Sequence, residues 1–322
     1  MQKEGEQGQK KITKMTRWLT LPIAFLQSYG MIVLLNSLAG GQIIDAMNLQ
    51  VVLMAMTIAT AGTIFLMWLG EVMTEYGISN GISIIIMAGV LSAVPGTIIQ
   101  NLTNIPLFIG LFIATLVIIY IIIKFTEGHR RIPIIYAKTG GEEKSYFPIK
   151  INQAGMIPII FSISIVTFPA ILGQILANTS SGNSKIVGEF LQTHFNMQNP
   201  GWVFIAIYFL LVLAFSFFYI SITFNTEQVA ENIQKRGGYI PGIRPGEETA
   251  NYLQKVSNHL NLFGGGFLAI IAVLPYIMGK VMNQSIDFII SAAGLIIIVS
   301  VLLDIIRKID GEMKMFDYSK YK

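Results

Sequence analysis

Trp202-Val203-Phe204-Ile205-Ala206-Ile207-Tyr208-Phe209-Leu210-Leu211-Val212-Leu213-Ala214-Phe215-Ser216-Phe217-Phe218-Tyr219-Ile220-Ser221-Ile222-Thr223-Phe224 contains no charged side chain. As an α-helix, a run of this length covers roughly 35 Å, enough to cross the hydrocarbon core of a bilayer. No water in that core satisfies an exposed peptide group, so an unbroken helix is the conformation such a run adopts. The whole chain shares this character. Hydrophobic residues make up 53% of its 322 positions and charged residues only 12%, about half the share in an ordinary soluble domain. Too little charge is available to coat a soluble surface, so most of the surface must face something apolar.

Seven further segments read the same way: approximately Trp18–Leu38, Val51–Met73, Ile82–Val94, Pro106–Phe125, Ala154–Leu172, Leu262–Met278 and Ile286–Ile306. The expected fold is an all-α polytopic membrane protein with about eight transmembrane helices. Ile82–Val94 is short before Pro95-Gly96, and residues 97–102 would extend it. Residues 39–50 and 95–105 read as short polar connections, and Gly173–Gly201, rich in Ser and Asn, as a solvated loop. Trp18, Trp68, Trp202 and Tyr219 stand towards span ends, where amphipathic rings favour the interface.

The basic residues are placed asymmetrically. With eight crossings, every Lys and Arg except Lys185 and Lys280 falls in the four segments of one side: the start, residues 125–151, residues 225–261 and the tail, with Lys124 at the edge of the second. The positive-inside rule makes that side cytoplasmic, with both ends of the chain there, and the membrane the inner one. Met1 is followed by a charged, Gly-containing stretch, so no signal peptide is expected.

Several chemistries lose their residues at this stage. The chain has no cysteine, and His129, His194 and His259 are scattered, so no catalytic, metal or cofactor site is expected. Glu71, Asp304 and Asp310 lie at or near span ends and not at mid-membrane, which argues against an ion-coupled carrier. Gln27, Thr57, Thr60, Thr63 and Ser164 are polar within spans, where hydrogen bonding between helices is the ordinary role. Gly264-Gly265-Gly266 lacks the setting of a phosphate loop and reads as a place of close helix packing.

Two extramembrane segments carry more information. The first contains Glu127-Gly128-His129-Arg130-Arg131-Ile132-Pro133-Ile134-Ile135-Tyr136-Ala137. The second contains Gly237-Gly238-Tyr239-Ile240-Pro241-Gly242-Ile243-Arg244-Pro245-Gly246-Glu247-Glu248-Thr249. Asn225 or Thr226 can cap a helix towards Lys235, and Glu247 and Glu248 suit the start of another towards Leu260. Between them, prolines and glycines fix a turn that projects Arg244. Such a turn is either simply solvated or a way to present one arginine to an anionic or carbonyl-lined partner groove.

Gly62-Thr63-Ile64-Phe65-Leu66-Met67-Trp68-Leu69-Gly70-Glu71 and Gly77-Ile78-Ser79-Asn80-Gly81-Ile82-Ser83 resemble the fourth and fifth helices of the SecY family of protein-translocation channels. Arg130-Arg131-Ile132-Pro133, Asn152-Gln153-Ala154-Gly155-Met156-Ile157-Pro158 and Pro241-Gly242-Ile243-Arg244-Pro245-Gly246 resemble the same family, in order, over nearly the whole chain. The resemblance aligns the eight spans with helices three to ten of a ten-helix fold built as two inverted halves around an hourglass pore. Residues 1–102 would be the remainder of the first half and 103–322 the second half. The family's first helix, plug and second helix would have no counterpart in these residues.

The function implied is passage of unfolded polypeptide across the membrane, or laterally into it, without catalysis. By motif, Ile82, Ile86, Ile160 and Ile297 would form an aliphatic pore ring, which seals because it offers water no hydrogen bonds. For an isoleucine in a membrane helix, the alternative is lipid contact or packing. The lateral gate would use Gln27, Gly155, Pro158, Phe168 and Pro169. Pro158 and Pro169 would interrupt the hydrogen-bond ladder, and Gly155 would remove bulk near the helix start. Arg130, Arg131 and Arg244 would contact the ribosome, with its RNA, or the SecA motor. SecE and SecG would be membrane partners, signal-peptide-bearing nascent chains the cargo, and lipid the surroundings. A split or non-functional fragment and a small-molecule transporter are the alternative readings.

Overall fold

The computed structural model describes residues 6–38, 44, 48–77, 79–102, 105–138, 141–177, 182–195, 200–281 and 291–319. In chain order its elements are α1 (Glu6–Leu38), α2 (Leu49–Tyr76), α3 (Gly81–Asn101), α4 (Ile105–Glu127), β1 (His129–Lys138), β2 (Gly141–Lys150), α5 (Ile157–Ala177) and α6 (Gly182–Phe195). There follow α7 (Trp202–Thr223), α8 (Thr226–Lys235), β3 (Gly238–Tyr239), α9 (Glu247–Val281) and α10 (Ala292–Ser319). Among the described residues, five helical stretches are long and apolar enough to cross a membrane: Leu49–Tyr76, Gly81–Ile99, Phe108–Glu127, Trp202–Lys235 and Glu247–Val281. Ile157–Gly173 is a shorter apolar helix. The expected spans at 18–38 and 286–306 correspond to α1 and to α10, although residues 286–290 lie outside the described residues.

Residues 1–88, 168–193 and 305–322 form one compact unit, and residues 89–167 and 194–304 another. In the first, α1 and α2 pair through Ile32, Val52 and Met56. At one end of this pair Arg17 binds Glu71, its Nε donating to Oε1 at 3.1 Å and its Nη2 to Oε2. The hydrogen bond to the carboxylate, then its charge, raises the guanidinium above its ordinary pKa. The α2–α3 corner is equally tight. A Cβ on Gly81 would sit 2.2 Å from the carbonyl oxygen of Gly70, and the Gly81 N–H donates to Thr74 Oγ1 at 2.8 Å.

In the second unit α7 lies against α9. Gly265 allows the approach, since a Cβ there would be 2.8 Å from Ser216 Oγ, and Ser216 donates to buried Asn261 Oδ1. Gly264 brings α9 equally close to the Ile151 carbonyl oxygen, 2.5 Å from where its Cβ would be. Gly264 and Gly265 are thus packing positions, as expected, whereas a Cβ on Gly266 would meet nothing within 4 Å.

Four local expectations change. The helix begun at Gly81 runs through Pro95 to Asn101, so residues 95–101 are helical and not a connection. Extramembrane and membrane parts of α9 form one helix of 35 residues, because nothing between Leu260 and Leu262 breaks the ladder. The segment read as a solvated loop contains the 14-residue helix α6. Finally, the in-span hydroxyls bond within their own helices: Thr57 to Met54 O, Thr60 to Met56 O, Thr63 to Ala59 O and Ser164 to Ile160 O, at 2.7–3.0 Å. A free carbonyl lone pair one turn back is always within reach of a helical Ser or Thr, so no neighbouring helix is needed.

Candidate functional site

The extramembrane segments fold on a shared core. β1 and β2 pair antiparallel from His129↔Lys150 to Lys138↔Gly141, and β3 adds to β1 through Ile135↔Tyr239 and Tyr136↔Gly238, giving sheet order β2-β1-β3. The extramembrane segment 125–151 thus carries a strand pair that the sequence reading did not predict. Gly128 closes the base, where the Ile151 N–H donates to its carbonyl at 2.9 Å. Side chains alternate along each strand. Ile132, Ile134, Phe147 and Ile149 face inward, joining Ala230 and Ile233 of α8, Ile240 of the turn, and Ala250 and Leu253 of α9. Gly238 has no room for a side chain, since a Cβ would lie 2.7 Å from the Tyr136 ring.

This core fixes where the arginines stand. Arg131 pairs with Pro148 on the outward face, beside His129 and Lys150, and is exposed. Arg130 follows the inward parity but lies at the edge of the core and is also exposed. Asn225 caps α8 through its side chain, which accepts from the Gln228 N–H at 3.1 Å. The turn after β3 is held by the Ile243 N–H donating to Ile240 O at 3.0 Å and by Thr249 Oγ1 donating to Arg244 O at 2.8 Å. Gly242 and Gly246 take positive φ, 79° and 102°, a region costly for other residues. Arg244 projects from this turn, exposed, while neighbouring Ile243 packs on the core. Its backbone is therefore over-determined while its guanidinium is available to a partner.

The other expected site residues fall in both units. Ile82 is exposed and Ile86, one turn further along α3, is half-buried; spacing i, i+4 puts them on one face. Ile160 is half-buried on α5, and Ile297 is buried on α10. Gln27 is exposed on α1, and so is Phe168 on α5. Three residues later, Gly30 touches Ile171 of α5 so closely that a Cβ would lie 2.9 Å from its Cδ1.

Two assignments at the start of α5 are corrected. The helix begins at Ile157, so buried Pro158 lies in its first turn, where no N–H is required, and starts the helix instead of interrupting it. Only Pro169 stands inside α5. Gly155 precedes the helix at φ +64°, and nothing lies within 4 Å of a Cβ added there. It is needed for its left-handed backbone, which the Asn152 side chain supports by accepting the Gly155 N–H at 3.0 Å, and not for its lack of bulk.

The SecY family profile matches residues 1–306. Protein translocase subunit SecY of Staphylococcus carnosus is 35% identical over 341 aligned residues, covering 99% of this chain and 76% of that protein. The Staphylococcus aureus NCTC 8325 subunit is 34% identical with the same coverage. Among solved structures, a SecY channel whose plug domain stabilises the closed state superposes with a TM-score of 0.67 at 17% identity, covering 93% of this chain and 74% of that one. The yeast Ssh1 complex on the 80S ribosome gives 0.64 at 16%, covering 94% and 73%.

Proposed function

The chain belongs to the SecY family and is a channel subunit of the Sec protein translocase, and we propose that it passes unfolded polypeptide through a ring formed by Ile82, Ile86, Ile160 and Ile297. The observation carrying this reading is the agreement of a family match over residues 1–306 with a channel fold. The physics of the ring supports it. Aliphatic side chains solvate neither water nor ions, yet yield around a moving chain. The gate would be formed by α1 and α5, with Gln27, Phe168 and Pro169 at its faces. Photoreactive residues placed singly at the four ring positions should crosslink an arrested secretory polypeptide, while one at exposed Phe218 of α7 should not. Equal crosslinking at all five would remove the ring assignment.

The platform of α8, the three strands and the Arg244 turn is the docking surface for a cytosolic motor of the SecA type or for the ribosome, through Arg130, Arg131 and Arg244. SecE and SecG are the proposed membrane partners. Since α9 continues from the Arg244 turn into its span as one helix of about 50 Å, docking at the platform is mechanically linked to the channel. This chain itself does no catalysis in this scheme. The near-exclusive placement of basic residues on the platform side supports a cytoplasmic platform in a cytoplasmic membrane. A cysteine at Lys185 should then react with an impermeant reagent from outside the cell, and one at Ser145 only after the membrane is opened. The opposite pattern would invert the orientation.

A further inference from the structure

The helix α6 has three distinct sectors around its axis. Its packing sector meets the end of α5 at Gly173, where a Cβ would lie 2.8 Å from Leu191 Cβ, 3.0 Å from the Gln192 nitrogen and 3.1 Å from the Gly188 carbonyl oxygen. Its polar sector holds Lys185 and Glu189, whose charged groups are 3.9 Å apart, together with exposed Thr193. The third sector is apolar and uncovered: Ile186, Val187 and Phe190 are 66%, 50% and 57% exposed. At 100° per residue these three share one arc beside the packing sector, with His194 on the same side only at the end of the helix. In water such an arc would be costly to expose, and a short helix gains too little from its own hydrogen bonds to offset that.

Position along the chain says what covers it. The apolar helix α5 ends against α6, and α7, a membrane helix, begins at Trp202, seven residues after α6 ends. Trp202 is 60% exposed and carries Lys280 Nζ 5.7 Å from its ring centroid, the pairing of amphipathic ring and cation that marks a membrane–water boundary. The chain thus enters α6 from one apolar helix and leaves it into another after a short connection, which favours lipid as the cover. We infer that α6 is an interfacial helix whose Ile186–Val187–Phe190 sector inserts into the lipid at the boundary where α5 ends, with Lys185 and Glu189 turned to water. In this arrangement the end of the gate helix α5 is anchored to the lipid surface through its contact with α6. The inference rests on the multi-pass reading but not on which leaflet is concerned.

The chain has no cysteine, so spin labels can be placed singly at residues 185, 186, 187, 189, 190 and 193 of the full chain in vesicles of phosphatidylethanolamine and phosphatidylglycerol. Collision with oxygen, which concentrates in lipid, is compared with collision with a water-soluble nickel chelate. The oxygen-to-nickel ratio is expected to be several-fold higher at 186, 187 and 190 than at 185, 189 and 193. Nickel access at all six would mean a solvated helix, and access by neither reagent at 186, 187 and 190 would mean a covering protein. Absence of helical periodicity would mean no helix. Each of these overturns the inference. A label at Phe218 on α7 separates the two readings: lipid contact there with water contact at Ile186 sinks the interfacial helix and leaves the membrane fold intact.

Discussion

Arg244→Glu is expected to lower motor-driven transport of a secretory polypeptide by at least about tenfold while leaving the fold in place. Reversing a charge that pairs with a partner groove costs the complex about 2–5 kcal/mol, and each 1.4 kcal/mol is a factor of ten. The folded chain loses little. The Arg244 backbone is held by Thr249 and by the Glu248 carboxylate, which accepts its N–H at 3.4 Å. Among the described residues no hydrogen bond or ion pair engages the guanidinium, so stability should change by less than about 0.5 kcal/mol, as for other exposed positions. The measurement is transport into vesicles carrying the chain with its membrane partners and the motor, alongside the thermal midpoint and motor binding. Near-normal transport would return Arg244 to a merely solvated turn. Loss of transport with an equal loss of midpoint would point to a role in the turn itself. Arg244→Lys should fall between, since a point charge replaces a planar fork of donors.

Replacing Ile86 and Ile160 together with serine should open the resting channel to ions. Two hydroxyls at an aliphatic constriction give water hydrogen bonds that isoleucine cannot, which favours wetting and with it conduction. The substitution is one that membrane helices of this chain already accommodate. Ser162 donates to Pro158 O at 2.6 Å and Ser164 to Ile160 O at 2.9 Å, each one turn back, and serine at 86 or 160 has the same option. Resting conductance in planar bilayers should rise several-fold for the double change and less for either alone. Conductance at the unmodified level would remove both positions from the ring and assign them to packing or lipid.

Much of the local structure was legible because it depends on neighbours in sequence. The Asn225 cap, the acidic start of α9 and the glycine turn around Arg244 involve residues a few positions apart. The strand pair is written in the sequence too: Ile132, Ile134 and Tyr136, answered by Phe147 and Ile149, alternate at period two. The roles of Pro158 and Gly155 depended on a helix boundary misplaced by three residues, and a proline changes meaning entirely between the first turn of a helix and its interior.

By itself, the sequence determined the membrane class and the approximate places of the crossings. These follow from the free energy of single segments in lipid, which depends on length and composition alone. Tertiary structure alone decided that the segments bearing Arg130, Arg131 and Arg244 share one core, with Ile132 and Ile149 packed against Leu253 more than a hundred residues away. It also decided that Gly264 and Gly265 are required for backbone approach, and that α6 keeps an apolar arc uncovered. No propensity encodes these facts. Each is a relation between surfaces distant in sequence, and its energy exists only once the chain has brought them within van der Waals contact.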